Sequence, residues 1–432
     1  MSFQVTVGPA NPVFVAPINR ATQEWGVYCL PAMSQDQNGR LVIRVNGHGD
    51  NPFPGQADEA PDVFFASEDN GRTWQPSTAE AEIARDPIRW GYFYGNTERA
   101  VRLPDGSALT IFHNIGDREV IPADLPCLGS FPSVNRSSHL SLYRYADLPA
   151  ACKLQTLRRE KDGKVETFPI QIDDPELILA VEDGGYVDGQ EAPLPIPARW
   201  TYAFLSSMIR LEDGTFLAMG PGQLPDITDR LCYGVRIYES ADAIHWKRRA
   251  VVTEYYDERL WFGFDEYSEH SLVQADNGDL LAVFRTEKCV PLDITPVCGT
   301  WFSVSHDLGM TWEPAREIAD SSVTPHLTKL ENGLIVLTYG RPGVHLMVTE
   351  DHGATWQGPF PVIGRTLEQE LAAGSDYMDC KYFDTISYSN VFPARTGPET
   401  LLLCTNLMKH DPGDGQPHRT AVVYEVTIRR AE

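Results

Sequence analysis

SEDNGRTW (Ser67–Trp74), SHDLGMTW (Ser305–Trp312) and TEDHGATW (Thr349–Trp356) are three copies of one phrase, hydroxyl-x-Asp-x-Gly-x-Thr-Trp. A shorter fourth copy, SADAIHW (Ser240–Trp246), keeps the Ser, the Asp and the Trp. The phrase reads as a tight hairpin turn. Its Asp accepts backbone N–H groups across the turn, and its Gly supplies a positive φ without steric penalty. Its Trp has a large apolar body to bury between neighbouring units and an N–H that needs a partner. This is scaffold chemistry, and its recurrence means that one supersecondary unit is repeated.

A second repeat carries the count. LPAMSQDQNGRLVI, VRLPDGSALTIF, IRLEDGTFLAMG, VQADNGDLLAVF, TKLENGLIVLTY and FPARTGPETLLL are each an apolar strand, a turn and an apolar strand. Asp-Gly, Asn-Gly and Thr-Gly between such runs are hairpin signals. Their turn glycines are Gly39, Gly106, Gly214, Gly278, Gly333 and Gly397, at intervals of 67, 108, 64, 55 and 64 residues. Units of this period, each supplying roughly four short strands, indicate a propeller or an array. The expectation is therefore an all-β protein, a six-bladed β-propeller of four-stranded antiparallel blades, forming a single domain over residues 1–432. The long interval is assigned to an insertion at 157–197, which passes from a basic run to an acidic, Pro-rich one. The N-terminal run Phe3–Val15 is expected to supply a strand to the last blade and close the ring.

Composition fits a hairpin-dense β protein, with 42% hydrophobic residues, 34 Gly and 32 Pro. The formal net charge of −24 argues against nucleic acid or an anionic membrane as partner. A local cluster of Arg can still override that field for an acidic ligand. No run approaches the 18 apolar residues of a membrane span. The N-terminus MSFQVTVGPANPVF lacks the basic start and long apolar core of a signal peptide, so a cytoplasmic location is expected. The eight Cys form no CxxC pair and no metal-ligand spacing, and Cys404 in LLLCTN reads as a small core residue. No catalytic metal and no cofactor are expected.

The Asp-centred turns and the six-unit repeat resemble those of the sialidase (neuraminidase) superfamily of six-bladed propellers, whose turns are called Asp-boxes. The resemblance runs from about Glu24 to the end, outside the insertion. It implies a glycoside hydrolase in which a Tyr–Glu pair supplies the nucleophile and an Asp the acid/base, with three Arg on the substrate carboxylate. A Tyr nucleophile is the recognised exception to the two-carboxylate scheme. In EHSLVQADNGDLLAVFR, Glu269 and Arg285 fill the places where the family's Glu opens a strand and its Arg ends the return strand. Arg341 lies just ahead of an Asp-centred turn, as a later triad Arg does. Tyr388 in ISYSNVFPARTG resembles the nucleophile, with Tyr377 and Tyr382 as rivals.

The acid/base is sought in NGHGDNPFPGQADEAPDVFF, where Asp58 and Asp50 are favoured over Glu59 and Asp62. His48, in a Gly-His-Gly turn, is a further proton carrier near neutral pH. One place departs from the family pattern: where its first-blade Arg belongs, this chain has Cys29-Leu30-Pro31. A thiol offers no fork of N–H donors to a carboxylate. Either Arg44, Arg99 or Arg199 substitutes, or the ligand is not a sialic acid. The expected partner is a carbohydrate, a terminal acidic sugar. A lyase or α-L-rhamnosidase-like enzyme acting beside a uronate, and a non-catalytic carbohydrate-binding propeller, are the alternatives.

Overall fold

The computed structural model describes residues 2–16, 31–35, 40–45, 62–78, 81, 100–113, 124–132, 138–150, 153, 155–162, 164–187, 190–191, 205–230, 232–254, 269–289, 296–340, 343–364, 391–415 and 418–431. Among them the fold is all-β, with short antiparallel sheets and a single 3-10 turn at Tyr145–Asp147. The chain divides into two compact units. The first comprises Met1–Glu98, Ala275–Asn277 and Ile318–Glu432, and the second Arg99–Gln274 and Gly278–Glu317.

In the first unit, Pro31–Gln35, Leu41–Val45, Val63–Ser67 and Gln75–Ser77 form one meander. His326–Lys329, Ile335–Gly340, Val344–Thr349 and Gln357–Ile363 form another. Between their apolar faces lies the terminal sheet of Phe392–Gly397, Thr400–His410 and His418–Arg430. Strand alternation sends Leu401 and Leu403 to the side of Leu346 and Val348, and Leu402 and Cys404 to the side of Leu41 and Ile43. Burial on both faces explains why this strand reads TLLLC without polar alternation. The N-terminal run completes the sheet as two strands. Phe3–Val7 and Asn11–Val15 both pair with His418–Arg430, tying one terminus of the chain to the other.

The second unit follows the same logic. Ser206–Arg210, Phe216–Gln223, Tyr233–Ser240 and His245–Thr253 form a sheet whose two faces pack in opposite directions. Leu217, Met219, Val235 and Ile237 meet Leu272, Leu280 and Phe284 of the sheet built from His270–Gln274, Leu280–Cys289, Pro296–Ser305 and Arg316–Ala319. Phe216, Ala218 and Tyr238 meet Leu109 and Leu157 of the sheet built from Val101–Arg102, Ala108–His113, Gln155–Lys161 and Lys164–Pro169.

The described residues form seven sheets, not six. The seventh pairs Gly129–Pro132, Ser138–Arg144, Ile178–Val187 and Gln190–Glu191, drawing on two separate stretches of chain. The stretch 157–197 is accordingly divided among three sheets. Residues up to Pro169 stay with Ala108–His113, Gln171–Asp173 adds a parallel strand beside His245–Thr253, and Ile178–Val187 pairs with Ser138–Arg144. The extra length of this repeat enters between strands on either side of the Gln155–Pro169 hairpin.

A buried ion pair sits where the seventh sheet leaves its neighbour. Asp174 and Arg236 are 0% and 1% exposed, with Arg236 Nη1 3.4 Å from Asp174 Oδ2. The Tyr238 hydroxyl donates to the same oxygen at 3.0 Å, and Arg248 approaches Oδ1 at 3.6 Å. A Cβ on Gly222 would lie 2.7 Å from Arg236 Nη1, so only glycine leaves room for the guanidinium there.

Four of the hairpin glycines adopt the positive φ their turns require: Gly106, Gly214, Gly278 and Gly333, at +82°, +94°, +93° and +83°. Gly39 lies outside the described residues. Gly397 differs, because it is the last residue of its strand, pairs with Thr400, and leaves Pro398-Glu399 as the turn.

The Asp-centred turns share one hydrogen-bond plan. In the first, Asp69 Oδ1 accepts the Thr73 N–H at 2.9 Å and Oδ2 accepts the Thr73 hydroxyl at 2.7 Å. The Ser67 hydroxyl donates to Asp69 and accepts the Gly71 N–H. Thr311 and Asp307, and Thr355 and Asp351, repeat this plan. The Trp74 N–H turns back to the carbonyl of Gly71 at 3.1 Å, so its partner is its own turn. In the short copy Ala243 takes the positive φ of 61°, and His245 replaces Thr as the side-chain donor to Asp242.

Candidate functional site

Glu269 stands immediately ahead of the strand His270–Gln274, and Arg285 lies on the return strand Leu280–Cys289. Pairing of His270 with Phe284 sets the register. The Arg285 N–H then donates to the Glu269 carbonyl at 2.9 Å, which carries the ladder one step past the strand end. The same register brings Arg285 Nη1 to 3.2 Å from Glu269 Oε2. Both side chains reach solvent, at 14% and 30% exposure. Their chain neighbours His270, Ser271 and Thr286 are buried, and Thr300, paired with Arg285 on the next strand, is fully buried.

One supporting residue had no signal in the sequence. Ser207 adopts φ 51°, within a register shift between Ser206 and Ile209, and is buried. Its hydroxyl donates to the carbonyl of His270 at 2.9 Å, one residue from Glu269. A left-handed serine on a strand carries backbone strain of order 1–3 kcal/mol. Here the strain accompanies a hydrogen bond that fixes the backbone carrying the Glu. The only sequence cue is a Ser-Ser pair opening a strand, which is too common to single out.

Arg44 lies in the first unit on Leu41–Val45. Asp62, just before Val63–Ser67, holds it through Nη2 at 2.5 Å and Nε at 2.8 Å, with 11% and 23% exposure. Asp62 is thus engaged by Arg44 at the start of a strand. Tyr388, Tyr377, Tyr382, Asp58, Asp50, Glu59, His48, Arg341, Arg99, Arg199 and Cys29 lie outside the described residues. Of the expected site, the structure therefore brings together Glu269 and Arg285, and it ties Arg44 to Asp62.

The chemistry open to the Glu269–Arg285 pair follows from its parts. The Glu269 carboxylate can accept a proton or a hydrogen bond from a hydroxyl. The guanidinium presents its N–H groups as a planar fork. Partial exposure leaves both within reach of a ligand.

No protein family model matches the chain, and no curated protein sequence matches it. Solved structures do resemble it. A protein of unknown function from Dyadobacter fermentans DSM 18053 aligns over 98% of this chain and 99% of its own, with a TM-score of 0.55 and 16% identity. The Penicillium chrysogenum α-L-arabinanase aligns over 96% and 98%, with a TM-score of 0.41 and 14% identity. A sialidase from Streptococcus pneumoniae aligns over 97% of this chain and 70% of its own, with a TM-score of 0.42 and 12% identity. At 16% identity, the first of these likenesses speaks to the fold alone.

Proposed function

We infer that the protein is an exo-acting glycoside hydrolase on a propeller-like all-β scaffold, releasing a terminal sugar through a Tyr–Glu nucleophile pair. The observation that carries the reading is the Glu269–Arg285 fork, a partly exposed carboxylate just ahead of one strand and a guanidinium on the next, 3.2 Å apart. The resemblance of the repeats and turns to the sialidase superfamily supports it from the sequence. In this scheme Glu269 takes the proton of Tyr388, whose oxygen attacks the anomeric carbon. Asp58 or Asp50 protonates the leaving oxygen and then activates water, with His48 as the alternative proton carrier. Arg285 and Arg341 orient the sugar, and Arg99 and Arg199 are further candidates for its rim. Arg44 contributes through the Asp62 pair that holds it.

The test is release of aryl alcohol from a panel of aryl glycosides, with Tyr388→Phe and Glu269→Gln measured beside the parent. Loss of general-base help lowers turnover by about 10²- to 10⁴-fold, which is the fall expected for Glu269→Gln. Unchanged turnover in Tyr388→Phe removes Tyr388 from the scheme. Absorbance from an unsaturated uronate instead marks a lyase, and binding without turnover marks a carbohydrate-binding protein.

A further inference from the structure

The geometry points to a neutral terminal sugar as the ligand, with Arg285 and Glu269 together reading its hydroxyl groups as one donor–acceptor pair. This rests on the glycosidase reading above and departs from the acidic sugar that the arginines alone suggest. Arg285 is charge-compensated by its own sheet: its backbone N–H and its guanidinium both engage Glu269, at 2.9 Å and 3.2 Å. The pairing is set by strand register and so persists without ligand. Arg44, the other described candidate for an anionic ligand, is compensated in the same way by Asp62. The sequence places Cys29 where the first-blade Arg would stand, and the whole chain carries a formal charge of −24.

A ligand carboxylate arriving at Arg285 would share one guanidinium with Glu269. Two carboxylates at one guanidinium repel each other. A hydroxyl group meets no such conflict, since it donates and accepts at once. Adjacent sugar hydroxyls can accept from the Arg285 fork while donating to Glu269, so both halves of the pair gain a hydrogen bond and neither loses its partner.

The test is saturation-transfer NMR titration of the full chain with matched sugars: galactose against galacturonate, glucose against glucuronate, with arabinose and N-acetylneuraminate added. In the parent, at least one neutral sugar is expected to bind about tenfold or more tighter than its acidic counterpart. Glu269→Gln removes the acid 3.2 Å from Arg285, so the preference should swing toward the uronate by about tenfold or more. Tighter binding of galacturonate, glucuronate or N-acetylneuraminate by the parent overturns the neutral-sugar inference while leaving the glycosidase reading intact. Absence of binding by every probe overturns the carbohydrate reading and this inference with it. Should Glu269→Gln fail to fold by circular dichroism, the ratio in the parent decides alone.

Discussion

Two arginine–carboxylate pairs in the second unit are built from similar parts and sit in opposite environments. Asp174 and Arg236 are sealed from solvent, with a Tyr hydroxyl and a second Arg completing the carboxylate's partners. Glu269, just ahead of one strand, and Arg285, within the next, remain partly exposed. In both cases a strand Arg meets an acid from a residue just outside a strand, so sequence proximity does not separate them. Burial does. The Tyr238–Asp174 contact has the composition of a Tyr–carboxylate nucleophile pair, yet no ligand reaches it, and burial pushes the Tyr238 hydroxyl well above its ordinary pKa. The sealed pair holds the segment leading to the seventh sheet, and the open pair is left for chemistry.

Neutralising the sealed pair should have the largest effect. Removing one partner of a buried pair strands the other charge and costs about 3–5 kcal/mol. Asp174→Asn is therefore expected to lower the urea midpoint markedly. A loss below about 1 kcal/mol would mean that Arg236 finds full compensation elsewhere and would break the comparison. The open pair should behave in the reverse manner. Exposed ion pairs contribute at most about 1 kcal/mol, so Glu269→Gln should leave the denaturation curve nearly unchanged while turnover collapses. A stability loss equal to that of Asp174→Asn would make Glu269 a structural residue.

The sequence displayed these features unevenly, for physical reasons. Turns at Gly106, Gly214, Gly278 and Gly333 were legible because a positive φ leaves a local chemical trace. Asp69, Asp307 and Asp351 were legible for the same reason, their bonds closing within four residues. The proximity of Glu269 and Arg285 followed from one hairpin register. The seventh sheet left no such trace, since Gly129–Pro132 and Ser138–Arg144 find Ile178–Val187 across an intervening hairpin. Gly397 misled because Thr-Gly resembles a hairpin turn, while the adjacent Pro398 with its fixed φ takes the turn position. Ser207 was invisible because its role depends on a carbonyl 63 residues away.

The Asp-centred turns sharpen the comparison with a weaker and reversible effect. Bonds from the Thr73 backbone N–H and hydroxyl, and then from Ser67, hold the Asp69 carboxyl down to about 2. Thr311 does the same for Asp307, also to about 2. A depressed carboxyl stabilises the fold above its unfolded pKa, near 3.8, and that support drains away as pH falls toward 2. Asp69→Asn should therefore remove part of the acid sensitivity of the denaturation midpoint in that window and leave its slope near neutrality unchanged. An acid limb identical to the parent's would show that this turn makes no contribution to acid unfolding.

The smallest effect is expected on the turn Ser305–Trp312, and it has the opposite sign. His306 bonds Asp279 through Nδ1 at 3.0 Å and Glu313 through Nε2 at 3.3 Å, and these two acids raise its pKa above the ordinary 6.5. Its folded-state pKa exceeds the unfolded value. The support it gives is thus complete below about 6.5 and lost as pH rises through the raised value. With the imidazole 60% exposed, water screens most of this gain, so the readout must be local. Amide hydrogen exchange across Ser305–Trp312, compared at matched intrinsic rates below and above neutrality, should show the turn opening more readily on the alkaline side. His306→Gln should abolish that difference while leaving the Asp307 acid limb in place. A pH dependence that survives the substitution would assign it to another group and leave His306 as a spectator on the turn.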